Sequence, residues 1–94
     1  MPAVVRQGDK NSAGGRVVRG NPSFLVDGRP VSVDGSPVSP HKPCPEDHEH
    51  CHAKTAEGTT KFIVDGIPVN LVGNHDTCGH ARVEGSPHFY VAKG

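Results

Sequence analysis

The sequence predicts an all-β fold built from many short strands and hairpins, and three observations point there. The 94-residue chain carries 12 glycines and 9 prolines, a content that excludes long helices and suits short strands joined by turns. One short unit occurs three times, as Gly20-Asn21-Pro22-Ser23-Phe24, Gly58-Thr59-Thr60-Lys61-Phe62 and Gly85-Ser86-Pro87-His88-Phe89. The first two copies then run on together, Phe24-Leu25-Val26-Asp27-Gly28-Arg29-Pro30-Val31 beside Phe62-Ile63-Val64-Asp65-Gly66-Ile67-Pro68-Val69, while the third stops at Phe89-Tyr90-Val91. A repeated unit is one small element reused around an axis or along a line, so residues 1–94 read as a single domain assembled from copies.

The elements follow in order. Residues 1–15 are polar, end in glycine and show no period, which predicts an irregular lead-in. Arg16-Val17-Val18-Arg19 suits a short strand, Asn21-Pro22 turns the chain, and Phe24-Leu25-Val26 forms the next strand. Asp27-Gly28 is a two-residue hairpin signal, because Gly adopts the positive φ that a primed turn needs. Val31-Ser32-Val33 alternates as a half-buried return strand, and Asp34-Gly35 turns again. Residues 36–54 have several prolines and no period, which predicts a loop. The second unit runs as strand Thr59–Val64, turn Asp65-Gly66 and return strand Pro68–Val72. A second loop covers Gly73–Gly79, and Ala81–Glu84 with His88–Val91 make the third unit. Pro30 and Pro68 stand at the starts of return strands, where a missing N–H is tolerated.

Composition excludes several functions. Ten basic and ten acidic residues balance, against the net basic surface that nucleic-acid phosphates require. The sequence holds no apolar run of membrane-spanning length, and Met1-Pro2-Ala3-Val4-Val5-Arg6 is too short and polar for a secretory signal. Hydrophobic residues are only 33% of the chain, so the core is thin and calls for a staple. No carboxylate pair suited to acid–base work is evident; Asp27 and Asp65 read as turn formers. No strand–nucleophile–helix context exists for a hydrolase elbow. The chain is therefore expected not to be an enzyme.

The staple is indicated by the histidines and cysteines. Of seven His and three Cys, nine lie between His41 and His80, in the two loops that leave the repeat. The first loop holds His41, Cys44, His48, His50, Cys51 and His52; the second holds His75, Cys78 and His80. Imidazole and thiolate are the ligands Zn²⁺ prefers, and a closed tetrahedral site would fasten a poor core. The spacing fits no common zinc-finger pattern, so clustering carries this reading. The rival staple is a Cys44–Cys51 disulfide, which leaves Cys78 unpaired.

Across nearly its whole length the chain resembles the PAAR-repeat family, the pointed caps of type VI secretion spikes and contractile phage tails. The matching features are Met1-Pro2-Ala3, Gly8-Asp9, Gly14-Gly15, the Gly-x-x-x-Phe strand starts, the Asp-Gly-x-Pro-Val hairpins and Thr77-Cys78-Gly79-His80. Residues 42–51 form an unusual insertion. The Pro-Ala-Ala-Arg signature survives loosely, as Pro30-Val31-Ser32-Val33 and Pro68-Val69-Asn70-Leu71, and the His or Cys that many members place before Gly14-Gly15 is Ala13 here. The resemblance implies a small β cone or pyramid with pseudo-three-fold repeats, closed at its apex by one structural metal, Zn²⁺ ahead of Fe. It implies Cys78, His80 and His41 as ligands. For the fourth it favours His52, with Cys44, His50 and Cys51 as alternatives.

The implied function is mechanical. A metal-stabilised cap binds the tip of a trimeric β-helical spike, one monomer per trimer, and helps it pierce a target membrane in transient contact. The resemblance implies a chain made in the cytoplasm and delivered by contraction or carried in a virion tail, with any effector a separate chain. The alternative is a free-standing zinc-binding protein, a metallo-enzyme or metal carrier using the His-rich loop with Glu46 or Glu49 as base.

Overall fold

The computed structural model of the protein describes residues 1–46 and 48–93. Asp47, within the expected first loop, and Gly94 lie outside the described residues. Among the described residues the regular structure is two antiparallel hairpins: β1 (Asn21–Val26) with β2 (Arg29–Val31), and β3 (Thr59–Val64) with β4 (Ile67–Val69). Their registers match pair for pair. Asn21 faces Val31 as Thr59 faces Val69, Leu25 faces Pro30 as Ile63 faces Pro68, and Val26 faces Arg29 as Val64 faces Ile67, each ladder with one irregularity. Both turns have two residues at positive φ, Asp27 at 53° with Gly28 at 78°, and Asp65 at 52° with Gly66 at 77°. That is the primed-turn geometry whose twist matches the flanking strands, and it explains why Asp-Gly stands at both places.

The expectation of an irregular lead-in over residues 1–15 is overturned. Val4 and Val5 are fully buried, and the segment is the missing return strand of the third unit. Ala3 pairs with Tyr90. Val4 N–H donates to Phe89 O at 2.9 Å, Ser86 N–H to Val4 O at 2.8 Å and Val91 N–H to Pro2 O at 3.1 Å. This reproduces the β1–β2 pairing, with the chain ends standing where the other units have Asp-Gly. The physical reason is that the partner of the C-terminal strand lies at the opposite end of the sequence. Val4-Val5-Arg6-Gln7-Gly8-Asp9 corresponds to Val31-Ser32-Val33-Asp34-Gly35-Ser36 and to Val69-Asn70-Leu71-Val72-Gly73-Asn74.

Two closed rings of backbone hydrogen bonds fasten the units around a pseudo-three-fold axis. In the first, Val5 N–H donates to Asn70 O at 3.0 Å, Asn70 N–H to Ser32 O at 2.9 Å and Ser32 N–H to Val5 O at 2.9 Å. Each strand then turns in the same way, with Asp9, Ser36 and Asn74 donating N–H to Arg6, Val33 and Leu71 O, each at 3.0 Å. Beyond these turns lie three short second-tier hairpins, paired through Lys10–Arg16, Pro37–Lys54 and His75–Ala81. The second ring joins their tips: Ser39 N–H to Arg16 O at 2.8 Å, Thr77 N–H to Lys54 O at 2.8 Å and Ser12 N–H to Ala81 O at 2.9 Å. The strands expected at 16–19, 81–84 and 88–91 are thus reduced to isolated pairings, two, two and one in number. The loop expected at 36–54 is one of these hairpins with an enlarged tip, which contains a 3₁₀ turn at His48–His50.

The apolar core lies in the first tier: Val4, Val26, Val31, Val33, Val64, Val69 and Leu71, with Phe24, Phe62 and Phe89 packed against it. These aromatic rings, one from each unit, meet one another. Phe62 and Phe89 stack with centroids 5.7 Å apart, and Phe24 sets its edge against both at 5.0 and 6.0 Å. The three tip loops project from the second tier away from this core. The molecule measures 35 × 24 × 22 Å along its principal axes.

Candidate metal centre

The three second-tier hairpins bring equivalent positions to the axis, and only one of them carries an imidazole. Asp76 N–H donates to His80 O at 2.9 Å, Asn11 N–H to Gly15 O at 2.8 Å and Val38 N–H to Ala53 O at 3.0 Å, so His80, Gly15 and Ala53 correspond. Two small residues leave room for rings from elsewhere. A Cβ on Gly15 would lie 2.5 Å from His41 Nδ1, 2.9 Å from Asn11 Nδ2 and 2.9 Å from Val38 Cγ1. His41 therefore occupies the space that glycine leaves open.

Three imidazoles fill this space. His41, His50 and His80 each place one ring nitrogen so that all three lie within 4.8 Å of one another. His41 and His50 are both 93% buried, at 7% exposure each, and His80 is partly buried. His50 Nδ1 stands 3.3 Å from His41 Nε2. Cys78 adjoins the trio on its His41 side, with Sγ 3.3 Å from His41 Nε2. Of the four residues favoured by sequence, the structure places His41 and His80 in the trio and Cys78 beside it, against His41. The fourth, His52, is exposed and outside the trio. His50, one of the sequence alternatives, stands inside it, because the 3₁₀ turn directs it inward and leaves His48 exposed. His75 faces away and pairs with Glu57, its Nδ1 3.0 Å from Oε1. Glu46 and Glu49, the bases that a catalytic zinc would need, are exposed.

Two of the ring orientations are set from behind. His41 Nδ1–H donates to Ser39 O at 2.8 Å, which turns Nε2 toward Cys78. His80 Nδ1 lies 3.3 Å from Ser12 Oγ, and its Nε2 is buried with no hydrogen-bond partner among the described residues. An orphaned buried nitrogen is costly unless something else uses its lone pair. Nitrogen donors with one thiol, the His41 and His80 rings held through their far nitrogens, form the donor set that suits Zn²⁺. Beneath the cluster, Asn11 Nδ2 donates to Asp76 Oδ2 at 2.9 Å and Arg82 Nη2 to Gly15 O at 2.7 Å. Arg82 Nε lies 3.3 Å from Asp76 Oδ1, without the alignment of a hydrogen bond. Burial pushes the Asp76 carboxyl up and the Arg82 guanidinium down from their ordinary values, as expected for an ion pair taken from water.

The disulfide posed as the rival staple is present beside the cluster. Cys44 and Cys51 are bonded, their Cα atoms 5.2 Å apart, and Cys78 is unpaired by any disulfide. The two staples involve different cysteines, so neither excludes the other.

Sequence reasoning missed a second feature. Leu25, Ile63 and Tyr90, the residues that follow each Phe of the triad, are exposed at 56%, 49% and 50%. The signal was present in the alternation after each conserved-in-repeat Phe, which sends one apolar side chain inward and the next out. No helix among the described residues is long and apolar enough to cross a membrane.

Comparison with known families gives one match: the family described as PAAR motif, over residues 7–85. No curated protein matches the chain.

Proposed function

Because this chain belongs to the PAAR motif family, the spike-tip caps of contractile secretion systems and phage tails, we propose that it caps a trimeric β-helical spike as a rigid, metal-fastened point. The family is structural and is not known as an enzyme family. The observation that carries the proposal is the pseudo-three-fold face around the Phe triad. Leu25, Ile63 and Tyr90 stand exposed at equivalent places in three units of one chain. A trimer ends in three identical edges, and a monomer with three nearly equivalent apolar contacts can satisfy all of them at once.

At the other end of the stack, His41, His50, Cys78 and His80 would hold one Zn²⁺. The ion would supply a cross-link between the tips of two second-tier hairpins, where few apolar contacts are available. In small domains such a structural ion contributes on the order of 10 kcal/mol of apparent folding free energy. The burial of His41 and His50 favours a closed structural site over the open one that a zinc enzyme requires. The cap would travel with its spike when the machine contracts and touch the target membrane transiently, any effector being carried by another chain.

Native mass spectrometry of the protein mixed with its trimeric spike tests the docking. One cap per trimer is expected, and the double variant Leu25→Asp, Ile63→Asp should fold yet lose the complex. Failure of the unaltered protein to bind would overturn the cap reading.

A further inference from the structure

We propose that the Cys44–Cys51 disulfide is a redox latch on the cation site, so that retention of the ion depends on the oxidation state of a cysteine pair that does not itself bind it. The proposal rests on the metal reading above. The four donors are held in two different ways. Cys78 and His80 belong to a short tip whose backbone is tied on both sides, by Thr77 N–H to Lys54 O at 2.8 Å and Asp76 N–H to His80 O at 2.9 Å. His41 and His50 belong to the enlarged tip, where Pro40, Pro43 and Pro45 offer no N–H to a ladder. Across that tip His41 N–H reaches His50 O at 3.2 Å, a longer bond than the rings provide.

The disulfide adds a covalent cross-tie between the two arms of that tip. Cys51 directly follows His50, and Cys44 comes three residues after His41, its N–H donating to His41 O at 2.8 Å. The bond therefore joins the two arms beside both imidazoles. Both sulfurs belong to partly exposed residues, within reach of a small thiol or disulfide. Cys78, the thiol beside His41, is not consumed.

The chemistry needs a small-molecule disulfide as oxidant. One Cys thiolate attacks it, forming a mixed disulfide and releasing one thiol; the second Cys thiolate then attacks the protein sulfur of that bond and releases the other thiol. Two electrons pass from the cysteine sulfurs to the oxidant, and the two cysteine protons end on the released thiols. In reducing medium the tip is open and the ion exchanges; a chain moved to oxidising medium closes it.

Release of Zn²⁺ to a chromogenic chelator tests this. The zinc-loaded protein is compared with the same protein after phosphine reduction and removal of the phosphine, and with the Cys44→Ser, Cys51→Ser double variant. Reduction should speed release by about ten- to a hundredfold, the range over which supports of metal ligands act. The double variant should release at the fast rate with or without reductant. Equal or slower release after reduction, with one ion still bound per chain, would overturn the latch and leave the metal site standing. An oxidised protein that holds no Zn²⁺ would overturn both.

Discussion

His41 can reach the axis because residue 15 has no side chain. Gly15→Ala forces a Cβ to within 2.5 Å of His41 Nδ1, and overpacking of this kind costs about 1–3 kcal/mol. The expected outcome is a lowered melting temperature together with loss of bound zinc, read by calorimetry and elemental analysis. The two candidates for the fourth ligand separate just as directly. His50→Ala should lose the ion and His52→Ala should keep it, measured as zinc per chain after dialysis. Sequence narrowed the candidate donors to two loops and favoured His52 over His50, whereas the structure places His50 in the cluster. Inside an aperiodic, proline-rich tip, which side chain turns inward is decided by one 3₁₀ turn that no local pattern announces. Acid sensitivity belongs to this scale too. The Ser86 hydroxyl, then His88 and Arg6, hold the Asp27 carboxyl below its ordinary value; Ser23 and Asn21 do the same for Asp65. A carboxylate with a lowered folded pKa stabilises the fold above its unfolded value and loses that contribution as pH falls through the folded one. Stability should therefore decline on acidification below about pH 4, and Asp27→Asn should make that decline shallower in urea titrations at several pH values. An unchanged slope would remove Asp27 from the account.

Among the elements, the hairpins were the most legible. Asp-Gly between apolar runs predicts a primed turn, and β1–β2 and β3–β4 stand where those signals stood. Gly66 sits at φ 77°, so Gly66→Ala should destabilise the protein by about 1 kcal/mol in urea unfolding, the cost of a left-handed L-residue. The third hairpin was not legible, for a physical reason. Its two strands are held by hydrogen bonds between Pro2–Val4 and Ser86–Val91, with no turn between them to advertise the pairing. Arg6 shows what holds that junction. Its guanidinium grips both oxygens of Asp9 at 2.9 Å and reaches Asp27 at 2.8 Å, tying the N-terminal strand to the first hairpin.

The whole molecule is a closed ring of three units with an apolar face at one end and the His41, His50 and His80 cluster at the other. Closure predicts that the cyclic order of the units matters and the position of the break does not. A permuted chain opened between Asp65 and Gly66, with Val91 joined to Pro2 through Asp-Gly, should fold with a single cooperative transition. A molten or aggregated product would count against the ring. The repeats made this architecture visible in outline, because each begins with Gly and reaches Phe at the same spacing. What sequence could not supply was the axis: which residues face it depends on ring hydrogen bonds between segments up to 69 positions apart, such as Ser12 to Ala81. The central claim is that His41, His50, Cys78 and His80 hold one ion that fastens the apex. Zinc-edge X-ray absorption on the purified protein tests it most directly. The account predicts one Zn²⁺ per chain, with three nitrogen neighbours at about 2.0 Å and one sulfur at about 2.3 Å. A protein that contains no metal and melts at the same temperature with or without a chelator would contradict it.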